Sequence, residues 1–485
     1  MDQKPVDWEQ VVKKRLEQSV SSKEVYRPAT ALIVPKKQDD PNLVVSSSAK
    51  SRVDYYLQKM GSSERAQIWQ PPKEASSFLS ERKFSETRSS ESWTMAPDSG
   101  GAFQRLDNIG AILAYNKREN AESFYDMLIE ELGDDYYIAS DQKLLLSPDE
   151  GDRHIVSLEK KPRAECWPEI SGMGLADELD VRGTGVRYGV LDSGIAAQHN
   201  EFGRKHIPFS YIPIGEASPI SDERMGFDPD NHGTHVSSIL VGKNVGISPL
   251  SKLYSASVLE GESITTTLRR VALGLDWIYG QFTDKQNISK PLILNMSMGF
   301  LLNALDKTDP TNYRYSMQSM MAVIENMLDG NVLVFAAIGN DGEDKYRIPA
   351  ATPEVIGVGA VDQEGLEIME FSGNVPDHEH NAGLYGPDLL GFGENVIGAI
   401  SQARDGSHRY ERRSGTSQAT PYVAGIAGLY WSMDRDLTAE QVRQLLFDTA
   451  KPAPAGENPI RWGAGVARFD PPTELIKRFK RNQAS

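Results

Sequence analysis

Hydrophobic positions are sparse and irregular over residues 1–105. Only Trp8–Glu17 has spacing that fits a short helix, and Thr30–Val34 is a brief apolar run. Polar stretches such as SSSAKS (46–51) and SETRSSES (85–92) read as flexible linker, so residues 1–105 are expected to be weakly ordered, in part disordered. A different pattern begins near Asn108. Ile109–Tyr115 reads as a strand, and Arg118–Leu132 follows with Phe124, Met127, Leu128 and Leu132 at helical spacing. Tyr136–Ser140 and Lys143–Ser147 then read as a short hairpin. Residues 106–150 are thus expected to form a small α+β unit, too small to be stable except against something larger.

Beyond Trp167, strand-like runs alternate with helical spacing. Val186–Leu191, Leu253–Leu259, Leu292–Met296, Asn331–Ala337 and Val355–Val361 predict strands; His235–Val241, Thr266–Tyr279 and Ser316–Asp329 predict helices between them. Runs without polar alternation fit strands buried on both faces. The expectation for residues 160–471 is an α/β, doubly wound, mainly parallel sheet with helices on both faces and functional groups at the carboxyl ends of strands. Residues 472–485 read as a basic C-terminal tail.

Composition is that of a globular chain, 39% hydrophobic and 25% charged. The longest apolar runs, such as Val332–Ile338, fall far short of the ~20 residues of a membrane helix, so no membrane partner is expected. The start, MDQKPVDWEQ, shows no basic-then-apolar leader, and one cysteine, Cys166, gives no internal disulfide framework. Cytoplasmic residence is the expectation, with unconventional export as the alternative. The net charge is −16, and residues 1–105 hold 17 Lys/Arg against 14 Asp/Glu, or +3, leaving −16 − 3 = −19 for the rest. That balance argues against nucleic acid as the main partner.

Three short segments carry chemistry. Gly189-Val-Leu-Asp192-Ser-Gly194 ends a buried strand on an aspartate. Asn231-His232-Gly-Thr-His235 lies at a helix start, and Ser414-Gly-Thr-Ser417-Gln-Ala-Thr-Pro421 opens a helix at Ser417 with Pro421 expected in its first turn. A serine hydroxyl is a weak nucleophile until a base takes its proton, and that base needs a partner to fix its tautomer. Singly, the aspartate could be a turn former, the histidines a cap, packed residues or metal ligands, and the serine a helix cap. Together, in the order Asp, His, Ser known from subtilisin, they point to acyl transfer.

These blocks resemble those of the subtilase (subtilisin-like serine protease) family over roughly Trp167 to Pro471. Gly246-Ile-Ser-Pro249, Asn295-Met-Ser-Met-Gly299, Ala336-Ala-Ile-Gly-Asn340 and Trp462-Gly-Ala-Gly465 are further similar blocks. The resemblance implies a serine endopeptidase with Ser417 as nucleophile, His232 as general base, Asp192 as orienting group and Asn340 as oxyanion donor. It implies a protein or peptide substrate bound in extended form along Ser297, Met298 and Gly299, with Gly261 on the opposite wall and Gly339 beside the reacting carbonyl. Arg347, two before Pro349, would lie at the base of the pocket for the residue preceding the cut, pairing with Glu343 or Asp344 when not with substrate. A guanidinium there suits a carboxylate, so Glu or Asp is expected before the cut rather than Phe or Leu. Residues 106–150 resemble a propeptide, an intramolecular inhibitor released by cleavage between Ser147 and Trp167; a permanent structural appendage is the alternative.

The resemblance also bears on cofactors. Seventeen positions separate His232 from Pro249, little room for the family's calcium loop, so that site is expected to be missing. Asp377-His-Glu-His380 reads as a polar surface loop, and neither metal nor other cofactor is expected. Gly391-Phe-Gly393 departs from the family's Ala-Pro-Gly, which bears on loop geometry and not on the chemistry. The alternatives are a catalytically idle binding module on this fold, or an esterase or acyltransferase.

Overall fold

The computed structural model describes residues 29–35, 93–95, most of 102–116, parts of 125–156, and 163–484 apart from residue 204, residue 354 and loops at 213–219, 223–225, 260–264, 283–290, 302–309, 329–330, 378–383 and 402–407. The expected helix at Trp8–Glu17 and both linker stretches lie outside the described residues.

The main sheet has eight strands. In spatial order they are β10 (Ile220–Asp222), β9 (Phe209–Tyr211), β11 (Lys252–Ser257), β8 (Arg187–Asp192), β13 (Leu292–Met296), β15 (Val332–Ala337), β17 (Ile356–Val361) and β18 (Leu389–Phe392). All neighbours pair in parallel except β10, which runs antiparallel at one edge. Every residue of β8, β13, β15 and β17 is buried, which is why these stretches show no polar alternation. β9, β10 and β11 lie on one side of β8 and β13 onward on the other, so the strand order switches direction at β8, the kind of point where α/β sheets bind ligands at the carboxyl ends of strands.

Helices cover both faces. One face holds α1 (His232–Val241) and α4 (Thr416–Met433), which pack on each other and share a core with Tyr188, Phe335 and Val358. Helix α4 is built largely from small residues and lies close to the sheet. A Cβ at Gly428 would stand 1.8 Å from the Tyr188 hydroxyl, so only glycine allows that approach. The other face holds α2 (Leu268–Gly280) and α3 (Pro310–Leu328), whose apolar residues join a second core. α5 (Ala439–Thr449) and α6 (Thr473–Ala484) pack on α4; the basic tail expected at 472–485 buries Leu475 and Phe479 there.

A second sheet lies over α2 and α3. Its order is β2 (Trp93–Met95), β3 (Ala102–Leu106), β4 (Ala111–Asn116), β1 (Ala29–Pro35) and β5 (Tyr136–Ser140). Strand β1 is the apolar run noted at Thr30–Val34. It pairs with β4 and β5, so this unit draws an interior strand from well ahead of residue 106. Leu32, Val34, Leu113 and Tyr115 enter the same core as Leu275, Ile278 and Val323. The expected hairpin does not form: β5 pairs with β1, whereas β6 (Lys143–Leu145) pairs antiparallel with β12 (Thr265–Thr267), just ahead of α2. A two-stranded reading failed because each strand found a partner distant in sequence. Strand β7 (Glu150–Val156) completes a three-stranded sheet with β20 (Arg409–Ser414) and β19 (Val396–Ile400). A last short pair joins β14 (Phe300–Leu301) to β16 (Arg347–Ile348).

Candidate active site

Asp192 is the last residue of β8 and is fully buried. Its Oδ1 lies 2.7 Å from Nδ1 of His232, the first residue of α1. A carboxylate only accepts, so Nδ1 carries the proton and Nε2 is the basic nitrogen. The same Oδ1 accepts from the Ser193 amide at 2.7 Å.

Asp228, four residues before His232, joins the two blocks. Its carboxylate accepts from the Asn231 amide (3.0 Å), the Thr234 amide (2.7 Å), the Thr234 hydroxyl (2.6 Å) and the Ser193 hydroxyl (2.7 Å). Ser193 Oγ in turn accepts from the Gly233 amide at 2.9 Å. Asn231 has a left-handed backbone (φ 64°), which asparagine tolerates, and its Oδ1 accepts from the Ser401 amide. Thus the turn that aims His232 is pinned on both sides.

Ser417 is the second residue of α4 and is buried. Its hydroxyl is 3.4 Å from the Ser297 carbonyl oxygen, while the Ser297 hydroxyl donates to the Ser417 carbonyl at 2.9 Å. Asn295 Nδ2 donates to Ser297 Oγ at 3.0 Å. Pro421 is the sixth residue of α4, in the second turn and not the first, which matters for that carbonyl. Asn340 lies just past β15. Its Oδ1 accepts from the Thr416 amide (2.9 Å) and hydroxyl (2.7 Å), which turns the Nδ2 donor end the other way.

The residues expected to bind substrate fall around this point. Ser297, Met298 and Gly299 follow β13 and are buried beside Ser417 and Arg347. Gly339 has φ 114°, and a Cβ there would meet Asp341 Oδ2 at 2.9 Å and Arg347 Cγ at 3.0 Å. Gly261 lies outside the described residues. Arg347 is buried, and its partner is Asp341 and neither Glu343 nor Asp344. Nε donates to Asp341 Oδ2 at 2.7 Å, Nη2 to Oδ1 at 2.9 Å and Nη1 to the Gly299 carbonyl at 3.1 Å. The guanidinium therefore closes off the space between Gly299 and Gly339 with its charge already matched.

His235 is a packed histidine. Its Nε2 lies 3.1 Å from the Glu411 carbonyl, and its ring covers Gly398. His378–His380 lie outside the described residues; among the described residues no group of three His, Cys, Asp or Glu side chains is placed to hold a metal. Glu201 lies beside residues 244–245, where little room for a calcium loop was expected. Its carboxylate accepts from the Asn244 amide (2.9 Å), Asn244 Nδ2 (2.6 Å) and the Tyr410 hydroxyl (2.7 Å). Beside it, burial and His408 push the His199 imidazole down to about 4, while Glu201 and the Arg409 carbonyl oppose them. Burial likewise lowers the Lys205 ammonium to about 8 although it donates to the Val241 carbonyl at 2.7 Å.

Thr416, Asp228, Asn295, Glu201 and Asp341 were not singled out from sequence. Thr416 and Asp228 lie inside or beside the recognised blocks, so proximity in sequence was the available signal.

This arrangement, an aspartate-held histidine on one helix and a serine at the start of a second helix packed on it, coincides with a family match. Residues 183–465, more than half of the 485-residue chain, fit the model of the subtilase family. The chain belongs to the subtilase family. It is 40% identical over 306 residues to the subtilisin-like protease PopC of Myxococcus xanthus, covering 62% of this chain and 63% of that protein. It is 30% identical over 282 residues to a thermostable alkaline protease of Halalkalibacterium halodurans, covering 57% of this chain and 64% of that protein. In both cases the match spans less than two thirds of the relative's length. Among solved structures, the prenylagaramide maturation protease PagA aligns at 24% identity with a TM-score of 0.47, over 64% of this chain and 99% of that one.

Proposed function

We propose that the chain is a serine endopeptidase acting through an acyl-enzyme on extended protein segments. The observation that carries this reading is the 2.7 Å bond from Asp192 to His232, on a helix packed against the one that opens at Ser417. Ser417 Oγ attacks the scissile carbonyl carbon and His232 Nε2 takes its proton, the one ring nitrogen not committed to Asp192. The oxyanion receives hydrogen bonds from Asn340 Nδ2 and the Ser417 amide; His232 then gives the proton to the leaving amine, and water completes hydrolysis by the same route. Asp192 holds the tautomer and stabilises the imidazolium. The spent guanidinium of Arg347 makes the pocket before the cut short and neutral, so small residues fit it, in place of the acidic preference read from sequence.

The N-terminal unit belongs to this reading as an intramolecular inhibitor. Strand β6 runs antiparallel to β12 close to β14, on the path assigned to substrate. Asp141 Oδ1 accepts from the Arg269 amide at the start of α2 (2.8 Å), and Asn108 binds Asp276 on the same helix, its amide 2.9 Å from Oδ1. Cytoplasmic residence, inferred from the single Cys166, completes the proposal.

Casein digestion by the purified full chain, with sequencing of fragment ends, tests it. Ser417→Ala is expected to lower kcat on the order of 10⁶-fold, the loss known for subtilisin's own serine, with the fold unchanged. Wild-type-like turnover by that variant sinks the assignment. Purified active enzyme that still begins before Asn108 sinks the removable-inhibitor part alone.

A further inference from the structure

A second buried carboxylate, Asp228, lies between the turns that carry Asp192 and His232, and one hydroxyl joins the two acids. Asp192 Oδ1 accepts from His232 Nδ1 and from the Ser193 amide, both at 2.7 Å. Its Oδ2 is buried and meets no donor among the described residues. The Ser193 hydroxyl reaches both carboxylates, 2.7 Å from Asp228 Oδ1 and 3.3 Å from Asp192 Oδ1. It has one proton to give, and its oxygen already accepts from the Gly233 amide at 2.9 Å, next to His232. The shorter contact takes the proton. Ser193 therefore donates to Asp228, and Asp192 keeps two donors, one of them the imidazole.

Asp228 has no freedom to turn. Oδ1 also accepts from the Asp230 amide (3.1 Å) and the Asn231 amide (3.0 Å), and Oδ2 from the Thr234 amide (2.7 Å) and hydroxyl (2.6 Å). The Thr234 hydroxyl accepts from the Ala196 amide (2.9 Å), and the Ile195 amide donates to the Phe227 carbonyl (3.0 Å). The two turns touch: a Cβ at Gly233 would stand 2.2 Å from the Gly194 carbonyl oxygen and 3.0 Å from Asp192 Cβ. The backbone thus fixes both carboxylates and the imidazole, and the one variable left is where the Ser193 proton points. A donor on a carboxylate favours the charge it already holds and makes it a weaker partner for an imidazolium. We propose that Asp228 is a positioning residue for the reaction: by holding the Ser193 proton it reserves Asp192 for His232, and so keeps the imidazole basic enough to take the proton of Ser417. Few other charges bear on the pair. Asp230 shares the turn, and His235 lies one turn along α1 with Nε2 at the Glu411 carbonyl. Of the elements packed on α1, α4 and β19 carry no charged residue, and β8 and β11 carry Arg187 and Lys252 at their far ends.

The inference rests on the protease reading, which makes His232 the general base, and two readouts keep their failures apart. The acid limb of kcat/KM against pH reads the imidazole through turnover. NMR titration of labelled histidine in the full chain reads it without turnover, the His232 signal being the one lost in His232→Gln. Wild type, Asp228→Asn, Ser193→Ala and the double variant are compared. A neutral amide accepts less well than a carboxylate, so in Asp228→Asn the Ser193 proton turns to Asp192. The His232 midpoint is then expected to fall by about half a pH unit or more, and kcat several-fold with KM moving less than about twofold. Ser193→Ala removes a donor that Asp192 does not use and should move the midpoint by less than about 0.2 unit. In the Ser193→Ala background the fall caused by Asp228→Asn should shrink to less than about half. A fall of equal size in both backgrounds makes Asp228 a nearby charge or a structural tie and overturns the proposal, as does an unmoved midpoint in Asp228→Asn. If Asp228→Asn does not fold, Ser193→Ala decides: a midpoint close to wild type supports the proposal, and a clear rise shows that the hydroxyl had served Asp192 and overturns it. If the wild-type chain cleaves no casein, the protease reading fails, and the NMR midpoints still judge the Asp228 arrangement.

Discussion

Ser297 and Ser417 are joined in both directions: the hydroxyl of each lies against the carbonyl of the other, at 2.9 Å from Ser297 Oγ and 3.4 Å from Ser417 Oγ. The shorter bond has a cause in the sequence. A helical carbonyl normally accepts from the amide four residues on, and for Ser417 that residue is Pro421, which has none. The Ser297 hydroxyl takes the vacant place, and the segment that follows β13 is thereby tied to the main chain of Ser417.

Removing that hydroxyl strands a buried carbonyl. Ser297→Ala is expected to lower stability by about 1–3 kcal/mol and to reduce kcat with KM moving less than twofold. Pro421→Ala supplies the missing amide, so the double variant should regain most of the lost stability. Urea unfolding of the four members of the cycle measures the coupling; strictly additive effects would show that the two residues do not share the carbonyl.

The pocket before the cut offers a sharper readout. Asp341→Asn leaves Arg347 without its carboxylate partner and exposes a positive charge to the substrate side chain. Profiling with a peptide library should show Glu and Asp rising roughly ten- to hundredfold relative to Ala, the range of a charge-assisted contact worth about 1.5–3 kcal/mol. An unchanged profile means that the guanidinium does not face the substrate.

Glu201 fixes residues 244–245 against the rest of the domain by hydrogen bonding. Glu201→Ala leaves several buried donors unmatched and should cost about 3 kcal/mol or more. Chelator should change the melting temperature of the wild-type chain little. A drop of ten degrees or more with EDTA would reveal a cation site that these contacts do not describe.

His199 gives the pH dependence. Burial and His408 hold its folded value at about 4, with Glu201 and the Arg409 carbonyl opposing. The unfolded imidazole binds a proton below roughly 6.5. Between those values the unfolded state holds more protons, so stability falls as pH drops from about 6.5 toward 4. Urea midpoints at pH 7 and pH 5 should differ less in His199→Gln than in wild type. An equal difference assigns the acid loss to other groups.

The sheet strands and the short segments that carry Asp192, His232 and Ser417 were legible because each depends on local pattern. β8 and β15 are uninterrupted apolar runs, and Asp192 and Asn340 stand where such runs end. What stayed hidden depends on pairing between distant segments. Nothing near Lys143 indicates that its strand partners Thr265–Thr267, and nothing near Glu150 points to Arg409–Ser414. Arg347 shows the same limit at a single residue. Its type and position were readable, but its meaning turned on Asp341 folding back onto it. Helix starts ran late by three residues at His232, because the residues that open α1 are polar or small and carry no apolar period.

The position of β7 also fixes an order in time. The ribosome delivers Val156 long before Ser417, 417 − 156 = 261 residues earlier. At about 5–20 residues per second that is a lead of roughly 13 to 52 s. The strand that fills the edge of β20 has already been made when that edge is completed, so the pairing partner is present on the same chain from the start.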